Sequence, residues 1–148
     1  MDDLFSLKYL LNCAGALTQK EGVLRYMDVI VYLFSSTECH PGNQLLPLLK
    51  KIYEVVKKRR MPMEIIYVPS DTDEDVMLKH FISEHHGWHA IRVKENAIME
   101  LHLRYNITHE PQIVVVSKDG EIVSRRGRAD VLELGLNVLV KWLRPYII

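Results

Sequence analysis

One cysteine in this sequence stands where sulfur chemistry is favoured. Cys39 follows a strongly apolar run, Val29-Ile30-Val31-Tyr32-Leu33-Phe34, and immediately precedes His40, Pro41 and Gly42. The run reads as a buried strand, and Pro41 sits where the first residue of a helix tolerates proline. A thiol between the carboxyl end of a strand and the start of a helix faces the helix's positive end and its free amides. Those groups favour an anionic, nucleophilic sulfur. Glu38, next in the chain, opposes them by placing a carboxylate beside the thiol. The plainer reading of a single cysteine, a small inert side chain packed half-buried, stands beside this one.

Other chemistry-bearing groups are weaker. Cys39, His40 and His109 are one set of metal-ligand types, and His85-His86-Gly87-Trp88-His89 is another. Neither has a recognised zinc spacing, and solvent-facing histidines on a helix end and loop account for them, so no metal and no cofactor are expected. Lys57-Lys58-Arg59-Arg60 has the composition of a nuclear-import patch, and equally of a solvated helix end favoured by the dipole. Arg125-Arg126-Gly127-Arg128 reads as a solvated turn.

The chain as a whole narrows the classes further. Its 19 Lys and Arg balance 19 Asp and Glu, so no global field draws in nucleic acid or an anionic membrane surface. Cys13 and Cys39 are the only cysteines in 148 residues, too few for a disulfide framework. A reducing, cytoplasmic location is expected, extending to the nucleus if the basic patch is read. The N-terminus lacks a basic region of the signal-peptide kind, and no segment has the length and apolarity of a membrane span.

Several elements must position Cys39. After the first strand, Leu45, Leu48, Leu49, Ile52, Val55 and Val56 recur at helical spacing up to Arg60, with Pro47 inside the pattern as a kink point. Met63 to Val68 reads as a second buried strand. Asp71-Thr72-Asp73-Glu74 caps a helix carrying Val76, Met77, Phe81 and Ile82. A helix over 95–105, a hairpin of Ile113–Val116 and Ile122–Val123 around Lys118-Asp119-Gly120, and an amphipathic helix over 129–143 complete the order. Alternating strands and helices imply parallel crossovers, and the hairpin makes the sheet mixed. One α/β domain over 1–148 is expected, with Cys13 on an N-terminal strand.

These motifs carry a resemblance. Tyr32-Leu33-Phe34-Ser35-Ser36-Thr37-Glu38-Cys39-His40-Pro41-Gly42 resembles the active-site strand and loop of nucleoredoxins and tryparedoxins, in which an aromatic strand runs into Trp-Cys-Pro-Pro-Cys. Pro47 then matches the family's helix-kinking proline. Tyr105-Asn106-Ile107-Thr108-His109-Glu110-Pro111 ahead of Ile113-Val114-Val115-Val116 is similar to the loop bearing the thioredoxin cis-proline. Trp88-His89-Ala90-Ile91 is similar to the Trp-x-Ala segment of tryparedoxin-like domains, with Arg92 where a proline is usual. The segment Val123–Arg128, with Leu134-Gly135, resembles the ending of nucleoredoxin-like proteins related to rod-derived cone viability factor.

The resemblance implies a thioredoxin fold: a mixed central sheet flanked by helices, with an N-terminal strand extension. It aligns Cys39 with the first active-site cysteine and Gly42 with the missing second one, and it implies a cis peptide at Pro111. It also implies that Glu38, His40, Pro41, Gly42, His109, Glu110 and Pro111 surround Cys39 in a groove for a protein or peptide partner. A dithiol reductase resolves its mixed disulfide with the second thiol, which Gly42 cannot supply. His40 and His109 offset the two carboxylates only when protonated. The expected function is therefore a redox-related binding or regulatory module. By analogy it serves in oxidative-stress protection or sensory-neuron maintenance. The alternative is a monothiol protein-disulfide reductase or thiol redox sensor using Cys39 with glutathione.

Overall fold

The computed structural model describes Leu4 and residues 7–147. Its elements are β1 (Tyr9–Leu11), β2 (Leu17–Gln19), α1 (Lys20–Leu24), β3 (Val29–Ser35), α2 (His40–Lys58), β4 (Met63–Pro69) and α3 (Glu74–Glu84). There follow β5 (His89–Ala90), α4 (Asn96–Tyr105), β6 (Gln112–Ser117), β7 (Ile122–Ser124), α5 (Gly127–Leu134), a short 3-10 turn, and α6 (Val138–Ile147). The strands form one sheet in the order β2-β1-β5-β4-β3-β6-β7. β3 pairs parallel with β4, from Val29↔Met63 to Ser35↔Pro69, and antiparallel with β6, from Val29↔Ser117 to Phe34↔Gln112. The sheet is mixed, as expected.

The apolar run of β3 is continuous because the strand is covered twice. Val29, Val31 and Leu33 face one cluster with Leu45, Leu49, Ile52 and Val56 of α2 and with residues of α5 and α6. Tyr32 and Phe34 face a second cluster with Ala97, Leu101 and Tyr105 of α4. A strand in the interior of a sheet cannot alternate with polar residues when both faces are packed. β3 and β4 therefore end side by side, and their carboxyl ends present Ser35 and Pro69 to the same edge. Loops leaving that edge of a parallel pair are where an α/β sheet places its site.

Several expectations need correction. The C-terminal helix is not continuous over 129–143. Gly135 adopts φ +56°, a left-handed value that ends α5, and α6 starts afresh at Val138. Cys13 lies in the turn after β1 rather than on a strand, and it is exposed. Nor is the Arg125–Arg128 stretch merely a solvated turn. Gly127 is buried where α5 crosses β6, and any Cβ there would collide with the Ile113 side chain and lie 2.8 Å from its carbonyl oxygen.

Candidate functional site

Cys39 is the N-cap residue of α2, half-buried, with its carbonyl accepting from the Asn43 amide at 2.9 Å. The loop before it is held on both sides of one residue. The Thr37 amide donates to Asp71 Oδ1 at 3.1 Å, and the Thr37 carbonyl accepts from Asn43 Nδ2 at 3.0 Å. Asn43 Oδ1 in turn meets His80 Nε2 of α3 at 3.1 Å. Burial pulls the His80 imidazole below its ordinary range, partly offset by Glu84 and Asp71.

Asp71 also accepts from the buried Tyr67 hydroxyl, at 3.4 Å. Burial raises Tyr67 far above the ordinary phenol range, and Asp71, Glu110 and, more weakly, Cys39 add to it. Glu110 and Cys39 thus converge electrostatically on one hydroxyl beneath the loop. Ser70 Oγ donates to Glu110 Oε1 at 2.7 Å, tying the residue before Pro111 to the end of β4. The Glu110–Pro111 peptide is cis, and Pro111 is buried.

Position 42 faces the sulfur. A Cβ built on Gly42 would lie 3.3 Å from Cys39 Sγ and would overlap the Ser35 hydroxyl. The space beside the thiol is therefore filled by an oxygen from the end of β3. Ser35 is only 4% exposed, and its Oγ has no hydrogen-bond partner among the described residues.

A cleft of about 310 Å³ next to the loop is lined by Glu38, Asp71 and Asp73 together with Ser36, Ser70 and Thr72. Ser70, Asp71 and Thr72 also line a larger cleft of about 730 Å³, whose far wall is Ile98, Met99 and Leu103 of α4. Glu38, His40 and Pro41 are exposed, as is His109, whose ring lies 3.4 Å from Thr108 Oγ1.

The histidine run behaves differently from its sequence reading. His85 is 1% exposed, accepts from Trp88 Nε1 at 3.0 Å, and is packed against Tyr67 and Phe81. Burial, with help from His80, Lys50 and His86, pushes its pKa down to about 3. It is a neutral core residue rather than a solvent-facing one. His89 lies 3.5 Å from the buried Glu64, which also receives Tyr53 at 3.1 Å and Lys57 at 3.5 Å. Among the described residues no group of three His, Cys, Asp or Glu could hold a metal ion, and no helix is long and apolar enough to cross a membrane.

Sequence reasoning missed Ser35, Asn43, Tyr67, Asp71 and His80. Asp71 was the one with a signal. Asp73 is the residue that caps α3, accepting from the Val76 amide at 3.1 Å, so the cap assignment left a second acid two residues earlier unexplained.

A family model described as thioredoxin-like matches residues 27–122, from two residues before β3 to the start of β7. The chain belongs to the thioredoxin-like family. Within it the chain is nucleoredoxin-like. It is 33% identical over 100 residues to nucleoredoxin of Bos taurus, covering 67% of this chain and 22% of that one. Its fold superposes on thioredoxin related protein 16 of Carcinoscorpius rotundicauda with a TM-score of 0.77 and 30% identity, covering 90% and 94% of the two chains. Native tryparedoxin I of Crithidia fasciculata shares the fold at a TM-score of 0.77 and 21% identity, over 90% of each chain. The chain thus spans about a fifth of the length of that nucleoredoxin.

Proposed function

We propose that this chain is a redox-related binding and regulatory module, one thioredoxin-like domain over 1–148 that uses the groove around Cys39 without dithiol turnover. The observation that carries this reading is Gly42. The position facing the Cys39 sulfur has no sulfur of its own, and the Ser35 hydroxyl takes up its space. A mixed disulfide formed at Cys39 has no neighbouring thiol to release it, so the second half of a dithiol cycle is missing.

The groove itself is retained. Glu38, Asp71 and Asp73 line the cleft at its near end, and Glu110 stands at the cis peptide. Extended segments dock in such sites through their backbones, and flanking charge selects among them. Carboxylates on this scale favour a basic or neutral partner segment over an acidic one, and salt weakens the preference. Thioredoxin related protein 16, a relative with a role in regulating transcription factor NF-kB activity, gives the regulatory reading a precedent at 30% identity. The exposed basic end of α2 suits passage between cytoplasm and nucleus. Oxidative-stress protection and sensory-neuron maintenance are the settings that the nucleoredoxin-like resemblance supplies.

The test is retention of a labelled basic peptide, and of its acidic counterpart, on the wild type and on two variants. Groove binding predicts that Cys39→Ser keeps the basic peptide. Glu38→Gln with Glu110→Gln weakens it about tenfold, the scale of two partly screened charge contacts. The monothiol reading with glutathione predicts the reverse, loss with Cys39→Ser and indifference to the glutamates. Equal retention in both variants would place binding elsewhere on the surface.

A further inference from the structure

We propose that Cys39 is a peroxide-oxidised site held at the sulfenic acid, with the Ser35 hydroxyl as the hydrogen-bond partner of the sulfenyl oxygen. This goes beyond the groove reading and does not need a bound partner. Two independent observations meet here. Cys39 is a free thiol at the head of α2, half-buried and so open to a small oxidant. Ser35, more than nine-tenths buried at the end of β3, turns an unpartnered Oγ toward the space beside that sulfur. A buried hydroxyl without a partner is uncommon and carries a desolvation cost, so its placement calls for a partner that some state of the site supplies.

Oxidation supplies one. The thiolate sulfur attacks one oxygen of hydrogen peroxide, the O–O bond breaks and an S–O bond forms. Sulfur gives up two electrons, and the second oxygen leaves as hydroxide and takes a proton from solvent to become water. The attacked oxygen keeps its own hydrogen, so the sulfur product is Cys39–SOH directly. Rotation about the Cβ–Sγ bond turns the new oxygen toward Ser35, whose hydroxyl then has an acceptor within reach.

The surroundings also stop the chemistry at that rung. Condensation needs a thiol, and position 42, which faces the sulfur, has none. Cys13, the other thiol, lies exposed in the turn after β1, not on the elements that carry Cys39. Further oxidation would place a permanent anion, unlike the transient thiolate, beside a loop whose Thr37 amide is already held by the Asp71 carboxylate. Like charges in one site oppose it.

The experiment treats purified, reduced protein with hydrogen peroxide, quenches the excess, adds dimedone at timed intervals, and reads adducts at Cys39 and Cys13 by mass spectrometry. Cys13 is the internal reference, an exposed thiol in the turn after β1. The expected result is a trappable sulfenic acid at Cys39 that outlasts the one at Cys13. Ser35→Ala should shorten its life about fivefold, the factor one neutral hydrogen bond is worth. Circular dichroism of Ser35→Ala checks that the fold is kept, and Ser35→Thr, which restores a hydroxyl, should recover part of the lifetime. Equal lifetimes at the two cysteines would overturn the proposal. So would an unchanged lifetime in a folded Ser35→Ala, or passage straight to sulfinic acid. Failure here leaves the peptide-binding test untouched, because no partner is present.

Discussion

Asp130 and Ser35 are both buried polar side chains, and the protein treats them oppositely. Asp130 of α5 accepts from Ser124 at 2.7 Å, Lys141 at 2.7 Å and Trp142 at 3.1 Å, so one carboxylate ties β7 and α6 to its own helix. Burial alone would raise its pKa, and those donors outweigh burial and leave it lowered. Ser35, at the end of β3, has no partner among the described residues. Near it the Thr37 hydroxyl and the second oxygen of Glu110 are in the same condition. Matched polar groups fix a packing arrangement, whereas unmatched ones beside a thiol leave bonding capacity for something that arrives. For these two residues the difference is that between a scaffold position and one beside the candidate site.

The largest effect expected from that contrast is at Asp130. Asp130→Ala strands the Trp142 and Ser124 donors and should cost about 3 kcal/mol in urea unfolding. A loss below about 1 kcal/mol would erase the distinction.

Acid titration comes next and probes the packing under the site. His85 is neutral in the folded protein, with a pKa of about 3 against about 6.5 when unfolded. The unfolded chain therefore binds the extra proton first. Stability from this residue is complete above pH 6.5 and falls as the pH drops toward 3, with a slope approaching about 1.4 kcal/mol per pH unit. His80 shifts in the same direction. Unfolding measured between pH 7 and 4.5 should show the decline, and His85→Gln should flatten most of it. An unchanged slope would mean that His85 titrates freely.

The smallest effect is the most pointed one. Ser35→Ala removes a hydroxyl that bonds to nothing described in the reduced protein, so urea unfolding should find stability unchanged or raised by about 1 kcal/mol. A loss comparable to Asp130→Ala would show that the two residues play the same role.

What could be read in the chain follows from how physics writes into sequence. β3 and β4 were legible because burial on both faces demands uninterrupted apolar residues. Cys39, Gly42 and Pro111 were legible because their types and spacing are those of the family's loop. β5 was not, since a strand of two residues leaves no pattern. The break at Gly135 was hidden because the apolar spacing continues across it. His85 looked solvent-facing because its burial depends on Trp88 and Tyr67, and no local pattern announces a histidine made neutral by its neighbours. Ser35 was invisible for a related reason. A serine at a strand end is unremarkable until position 42 is found to be empty of side chain and facing the same sulfur.

The central claim is that the site keeps the groove and has lost the release step. Its most direct test is the rate of insulin disulfide reduction by the wild type with dithiothreitol, beside the double variant Gly42→Cys, Ser35→Ala. The substitution at 35 removes the hydroxyl that would otherwise occupy the space of the new side chain. With no resolving thiol at position 42, the wild type should add nothing to the rate of the reductant alone, and the double variant should accelerate it. Wild-type turnover at the level of a dithiol thioredoxin would mean that a thiol other than one at position 42 releases the mixed disulfide, and the release step would not have been lost.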